Sequence, residues 1–292
     1  MPLASKSPPL APARKRKAAG ATAPSVSAPD CDTGQVRVLA RGLSILRAFT
    51  PRNEWLSNQE IAARTSLPRP TVSRLTANLA GLRYLSYSTE LRKYRLGTAV
   101  LALGFGALAN LDIRVLARPP LQRLADQEDA LVVLASRDAM AMVCNEVCHS
   151  SKSIFTLRVN VGSRLVLPYS AMGLALLGAM TPEERDAALR QISRSFKKNW
   201  GNLQKLIEAA VEQYRRCSFC TTLETLESGI NGIAVAVDTP GAPHSFTLGL
   251  AGPSFRFPAK RLESDLGPKL LAIRRDLETR LAQLMPGTGD SR

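Results

Sequence analysis

A chain of 292 residues, 45% of them hydrophobic, is long enough for two domains with sizeable cores. Its net charge of +15 is uneven: residues 35–97 hold 11 Lys and Arg against 3 Glu, a local +8, which points to a polyanionic partner. The absence of an 18-residue apolar run or an apolar leader, together with five cysteines in no regular framework, argues against membrane spans and a disulfide scaffold and leads to the expectation of a cytoplasmic protein.

Residues 1–34 are rich in Pro, Ala and Ser around Arg14-Lys15-Arg16-Lys17, too poor in large apolar groups to offset chain ordering, and read as a disordered tail. Val36, Leu39, Leu43, Leu46 and Phe49 predict a first helix lying on the next two. Ser57-x-x-Glu60 is a capping box opening a second helix, which stops before Pro68. Pro70 suits the first turn of a third helix, whose apolar stripe is Val72, Leu75, Leu79 and Leu82. The opposite side carries Ser73, Arg74 and Ala77, with Arg69 and Thr71 at its entrance. Small side chains admit close approach to a duplex, hydroxyls reach phosphates, and arginine can grip guanine through two bonds. Two alternating runs, Tyr84–Tyr87 and Lys93–Leu96, form a basic hairpin that completes a winged helix-turn-helix. Its cations Arg92, Lys93 and Arg95 are suited to phosphate contacts.

Thr98–Leu111 is apolar nearly all round, so it must be buried. A linker between domains is an odd place for that unless a second subunit covers it, and a homodimer is expected. A further helix opens at Asp112, interrupted near Pro119-Pro120. Strand-like runs follow at 130–135, 139–144 and 154–159, then helices from Thr181 and Asn202. Strands at 232–237 and 245–250, and a long closing helix at 263–284, end the pattern. Strands and helices mixed without a βαβ rhythm indicate an α+β fold with an antiparallel sheet. The expected organisation is a tail (1–34), a DNA-binding domain (35–97), a linker helix (98–111), a second domain (112–285) and a final tail (286–292).

The chain resembles the IclR family of bacterial transcriptional regulators over about residues 35–284. The likeness is carried by Arg41–Leu46, Glu60-Ile61-Ala62, Leu67–Leu75 and Tyr94–Gly97 in the first domain. In the second it is carried by Val161–Pro168, Ser170–Ala175 and Leu250–Ser254. It implies double-stranded operator DNA as one partner, a small-molecule effector as another, and a homodimer or tetramer. It also implies a GAF/profilin-like antiparallel-sheet effector domain, with Ala171, Met172, Gly173, Thr222, Gly232, Gly249 and Ala251 lining the ligand. Amides at a helix start after Ser170 favour an organic or aromatic acid; Gly249 and Ala251, where the family often has hydroxyls, suit a larger apolar ligand. Each of these glycines serves tight packing equally well. The family usually has glycine at the position of Arg83. That corner is therefore built differently, or the helix ends early at Gly81.

Cys217-x-x-Cys220 with Cys144-x3-Cys148-His149 could supply metal ligands, since strand alternation would put Cys144 and Cys148 on one face, but the spacing is less regular than that of a structural zinc site, and the pattern is weak. No phosphate loop or nucleophile elbow occurs, so no catalytic residue, metal or cofactor is expected. The reading is a ligand-responsive transcription factor. Its rivals are an enzyme with a DNA-binding appendage and a scaffold using the winged helix for protein contacts.

Overall fold

The computed structural model describes residues 34–50, 53–109, 112–152, 157–239 and 242–284. The expectations for both tails and for the strand residues 154–156 lie outside the described residues.

Three helices, α1 (Gly34–Arg47), α2 (Asn58–Thr65) and α3 (Arg69–Gly81), precede a hairpin of β1 (Leu85–Ser88) and β2 (Lys93–Leu96). Ser57 and Glu60 form the capping box of α2, with the Ser57 hydroxyl accepting from the Glu60 amide and the Glu60 carboxylate accepting from that of Ser57. The core joins Ile45 and Phe49 to Leu56, Ile61, Val72, Leu75 and Leu85. The first helix departs from expectation, because Leu39 and Leu43 are exposed and only its C-terminal end reaches the core. Leu82 leaves the predicted stripe for a related reason: α3 ends at Gly81, so Leu82, 65% exposed, belongs to the cap rather than to the buried face.

α4 (Thr98–Ala109) leads to α5 (Asp112–Glu128), which runs unbroken through Pro119 and Pro120, unlike the interruption expected. Two prolines withhold amide donors, but Ile113, Ala117, Leu121, Leu124 and Ala125 are all buried against the second sheet, and that packing holds the helix through the gap. The sheet has six antiparallel strands in the order β5-β4-β3-β8-β7-β6. They are β3 (Leu131–Asp138), β4 (Ala141–His149), β5 (Arg164–Val166), β6 (Cys220–Leu223), β7 (Ile230–Thr239) and β8 (Ala242–Pro253). Residues 157–159, expected to be part of a strand, have no regular structure, and β5 and β6 were not anticipated. They are three and four residues long, too short for alternation to register.

Helices α6 (Ala171–Ala179), α7 (Pro182–Ser195) and α8 (Trp200–Cys217) cover one face of the sheet. The other face packs on α5 and on the closing helix. That helix begins as α9 (Ala259–Arg261), passes through a π-helical stretch at Leu262–Leu266, and continues as α10 (Gly267–Leu284). Alternation along each strand sorts residues between the faces: Leu131, Val133 and Ala135 toward α6, Val132 and Leu134 toward α5.

Candidate DNA interface and effector face

Val72, Leu75 and Thr76 face inward on α3, so helical geometry turns Arg69, Ser73, Arg74 and Ala77 to the exterior, with Thr71 half-buried. Among the described residues no carboxylate engages Arg69 or Arg74. A residue the sequence did not single out fixes this helix. Thr76 is fully buried, and its hydroxyl lies 3.0 Å from Asn58 Oδ1 and 2.9 Å from the Val72 carbonyl, tying α3 to the first turn of α2.

The corner after α3 settles the alternatives left by Arg83. The Tyr84 amide donates to Leu79 O (2.9 Å) and the Arg83 amide to Ala80 O (3.0 Å), the bonding of a left-handed helix end. Arg83 itself adopts φ +61° there. The helix thus ends in the manner a glycine would allow, with an exposed arginine in the strained position. Gly97 is held against the same corner, since a Cβ on it would fall 2.1 Å from Arg83 O.

The three wing cations differ. Arg92 is exposed, in the turn, at φ +50°. Lys93 pairs with Glu60 (3.2 Å). Arg95 lies 3.7 Å from Glu54 and stacks over Trp55 at 5.0 Å. The Glu60 carboxyl is pulled down to about 2, first by the Ser57 amide and hydroxyl and then by Lys93. Both pairs are solvent-accessible, so each holds its cation weakly. A bridge between Leu56 and Tyr94, with the Tyr87 and Tyr94 rings 4.7 Å apart, stiffens the wing against the helices.

In the second domain Ser170 caps α6, its hydroxyl accepting from the Gly173 amide (3.1 Å). The amides of Ala171 and Met172 remain as donors that the helix's own ladder does not use. The start of α6 lies directly on the sheet, which brings all seven expected effector residues to one region. Thr222, Gly232 and Ala251 are neighbours across β6, β7 and β8. A Cβ on Gly232 would meet Thr222 Oγ1 at 3.2 Å and Ala171 Cβ at 3.7 Å. One on Gly249 would meet Met172 Cγ at 2.7 Å, and one on Gly173 would meet Leu167 O at 1.9 Å. Close packing therefore accounts for all three glycines. A cleft of about 20 Å³, bordered by Leu131, Leu157, His149, Ala251 and Arg256, opens beside them. A further polar group on this face, the buried Thr247, carries no signal in the local sequence pattern.

The cysteines do not converge. A bulge opposite Leu134/Ala135 leaves Asn145 as an extra residue in β4, so the alternation slips by one. Cys144 then faces α6 and Cys148 faces α5, correcting the shared face expected. Burial pushes the thiols of Cys144 and Cys220 up to about 12, and that of Cys148 to about 11, far from the thiolate a metal needs. Among the described residues no three His, Cys, Asp or Glu side chains gather as a metal site, and no single helix is long and apolar enough to cross a membrane.

Comparison with known proteins agrees with both halves of this geometry. The family model described as IclR helix-turn-helix domain matches residues 38–88, and that described as bacterial transcriptional regulator IclR C-terminal matches residues 105–279. The HTH-type transcriptional regulator TsaQ1/TsaQ2 of Comamonas testosteroni is 30% identical over 87% of this chain and 91% of its own. The crystal structure of an IclR family transcriptional regulator from Brucella abortus superposes with a TM-score of 0.78 at 36% identity, covering 87% of this chain and 96% of that one. An IclR homologue from Microbacterium hydrocarbonoxydans, solved in complex with 4-hydroxybenzoate, shares the fold at a TM-score of 0.64 and 21% identity, over 84% of this chain and 99% of its own.

Proposed function

The chain belongs to the IclR family and is a DNA-binding transcriptional regulator with an effector domain, and we propose that it acts as a cytoplasmic homodimer, without enzymatic activity, whose operator affinity is set by an organic or aromatic acid. Residues 35–97 serve as the DNA-binding unit, 98–111 as the linker and 112–285 as the effector unit. The observation that carries the DNA reading is the exposed side of α3, where Arg69, Ser73 and Arg74 project while Val72 and Leu75 are buried. Arg74 and Arg69 contact bases or phosphates, Thr71 and Ser73 donate hydroxyls, and Ala77 permits close approach. Arg92, Lys93, Arg95 and the unanticipated Arg83 attract the flanking phosphates. Two such units in a dimer reach successive major grooves of a pseudo-palindromic operator.

Dimerisation is supported by the apolar surface on α4, where Leu101, Leu103 and Phe105 are all exposed, and by Leu39 and Leu43 of α1. An acid effector is supported by the start of α6, which packs on the sheet beside Gly232 and Gly249, and by the 4-hydroxybenzoate held by the Microbacterium homologue. Ala171, Met172, Gly173, Thr222, Gly232, Gly249 and Ala251 form its lining. Arg74→Ala is expected to weaken operator binding by about 1–3 kcal/mol if the guanidinium grips a base. Gel-shift titration checks this, and unchanged binding removes Arg74 from the interface.

A further inference from the structure

We propose that the corner between α7 and α8 is a second, sequence-independent contact for the DNA phosphate backbone, made by Arg190, Arg194, Lys197, Lys198 and Lys205. It is separate from the winged helix and gives the second domain a hold of its own on a duplex.

The first observation is the charge. Residues 187–207 hold these five cations and no Asp or Glu, whereas the rest of residues 98–292 holds 18 Lys and Arg against 19 Asp and Glu. The positive charge of this part of the chain is thus gathered in one place. Arg190 and Arg194 lie about one turn apart on α7, roughly 6 Å along its axis. Lys197 and Lys198 occupy the short turn Lys197–Asn199 that joins α7 to α8, and Lys205 follows in α8. All five are exposed, and among the described residues no carboxylate engages any of them. Their neighbour Arg185 differs, because its guanidinium donates to the carbonyls of Leu177 and Met180 and so serves the fold. Clustered cations without counter-charges raise the local potential, and a polyanion relieves it.

The second observation decides which polyanion. Ala188, Ile192, Leu203 and Ile207 are buried, and among the described residues no large apolar side chain is exposed between Val161 and Leu223. A protein partner needs apolar or aromatic anchors at the centre of its interface, and a helix lying on a membrane needs an apolar face to insert. A surface of cations alone suits phosphates, whose interfaces with protein are polar and strongly positive. The corner is also held in shape. Phe196 packs edge-on against Tyr169 with the ring centroids 5.8 Å apart, Asn199 Nδ2 donates to Tyr169 Oη (2.9 Å), and Asn202 Nδ2 donates to Asn199 Oδ1 (3.1 Å). Binding therefore has only the cationic side chains to order. Phosphate contacts of this kind position a duplex without reading its bases.

The test is fluorescence-anisotropy titration of a random-sequence duplex of about 60 base pairs with the full chain, between about 50 and 200 mM salt. Wild type is compared with Arg190→Gln plus Arg194→Gln, and with a charge-matched control on the same domain, Arg216→Gln plus Arg275→Gln; poly-L-glutamate serves as a second probe. Each phosphate contact removed lowers the slope of log affinity against log salt by about 0.9, so across that range the α7 variant should lose roughly tenfold less affinity than wild type. The control should follow wild type, and Lys197→Gln plus Lys198→Gln, in the exposed turn, should repeat the α7 result. A wild-type slope in both patch variants, or an equal change in the control, would overturn the contact and leave the winged helix as the DNA reader. Patch variants that lose poly-L-glutamate but keep the wild-type slope on DNA would overturn it in favour of an acidic protein. A duplex left unbound by wild type at the lowest salt would overturn it as well.

Discussion

Arg83 shows how a single residue can run against local preference and still preserve the fold. An L-residue in the left-handed region costs about 1–2 kcal/mol, yet both hydrogen bonds of the helix end form and Gly97 closes onto the Arg83 carbonyl. Arg83→Gly is expected to stabilise the DNA-binding domain by up to about 1 kcal/mol, raising its melting temperature by at most about 4–8 °C. The same change removes an exposed positive charge, so operator affinity should fall as stability rises. A thermal melt paired with a salt-dependent gel shift separates the two effects. A lower melting temperature would mean that contacts of the arginine stem outweigh its backbone strain.

At the scale of elements, the join between α5 and β4 rests on one carboxylate. Glu146 is 1% exposed and takes both Arg114 and Arg118 from the first turns of α5, the helix that follows the linker. Removing either arginine leaves the carboxylate paired with the other. Removing both leaves a sealed, uncompensated charge, which costs about 3–5 kcal/mol. Arg114→Ala and Arg118→Ala should therefore be mild singly and strongly more than additive together. Urea denaturation of the three variants measures this, and simple additivity would show that Glu146 is solvated. The two prolines in α5 belong to the same account, because the segment stays helical where burial of Ala117, Leu121 and Ala125 holds it against the sheet. The bulge at Asn145 does the converse, since an extra residue in β4 redirects Cys148 and Glu146 toward α5 and separates the cysteines.

For the whole molecule, the exposed apolar surface of α4 is the feature a single chain leaves unexplained. Phe105 is 67% exposed and Leu101 72%, a surface that water disfavours and a second copy would cover. Phe105→Glu is expected to shift the protein toward monomer in sedimentation velocity, with operator affinity falling because two half-sites no longer act together. An unchanged sedimentation coefficient would place the dimer contact elsewhere.

Much of the DNA-binding half was legible in the chain itself. The capping box at Ser57, the proline at the start of α3 and the alternation of the wing are local signals, each determined by groups a few residues apart, and the charged side of α3 follows from helical period alone. Tertiary structure decided what depends on distant partners: that only the end of α1 reaches the core, that Thr76 locks onto Asn58, and that Lys93 and Arg95 meet Glu60 and Glu54. In the second domain the seven residues expected to line an effector converge through cross-strand register and the seating of α6 on the sheet, where Met172 packs against Gly249. No short-range pattern encodes that, because register and packing depth are set by the sum of contacts across the sheet, and the same sum left the Thr247 hydroxyl buried without a partner.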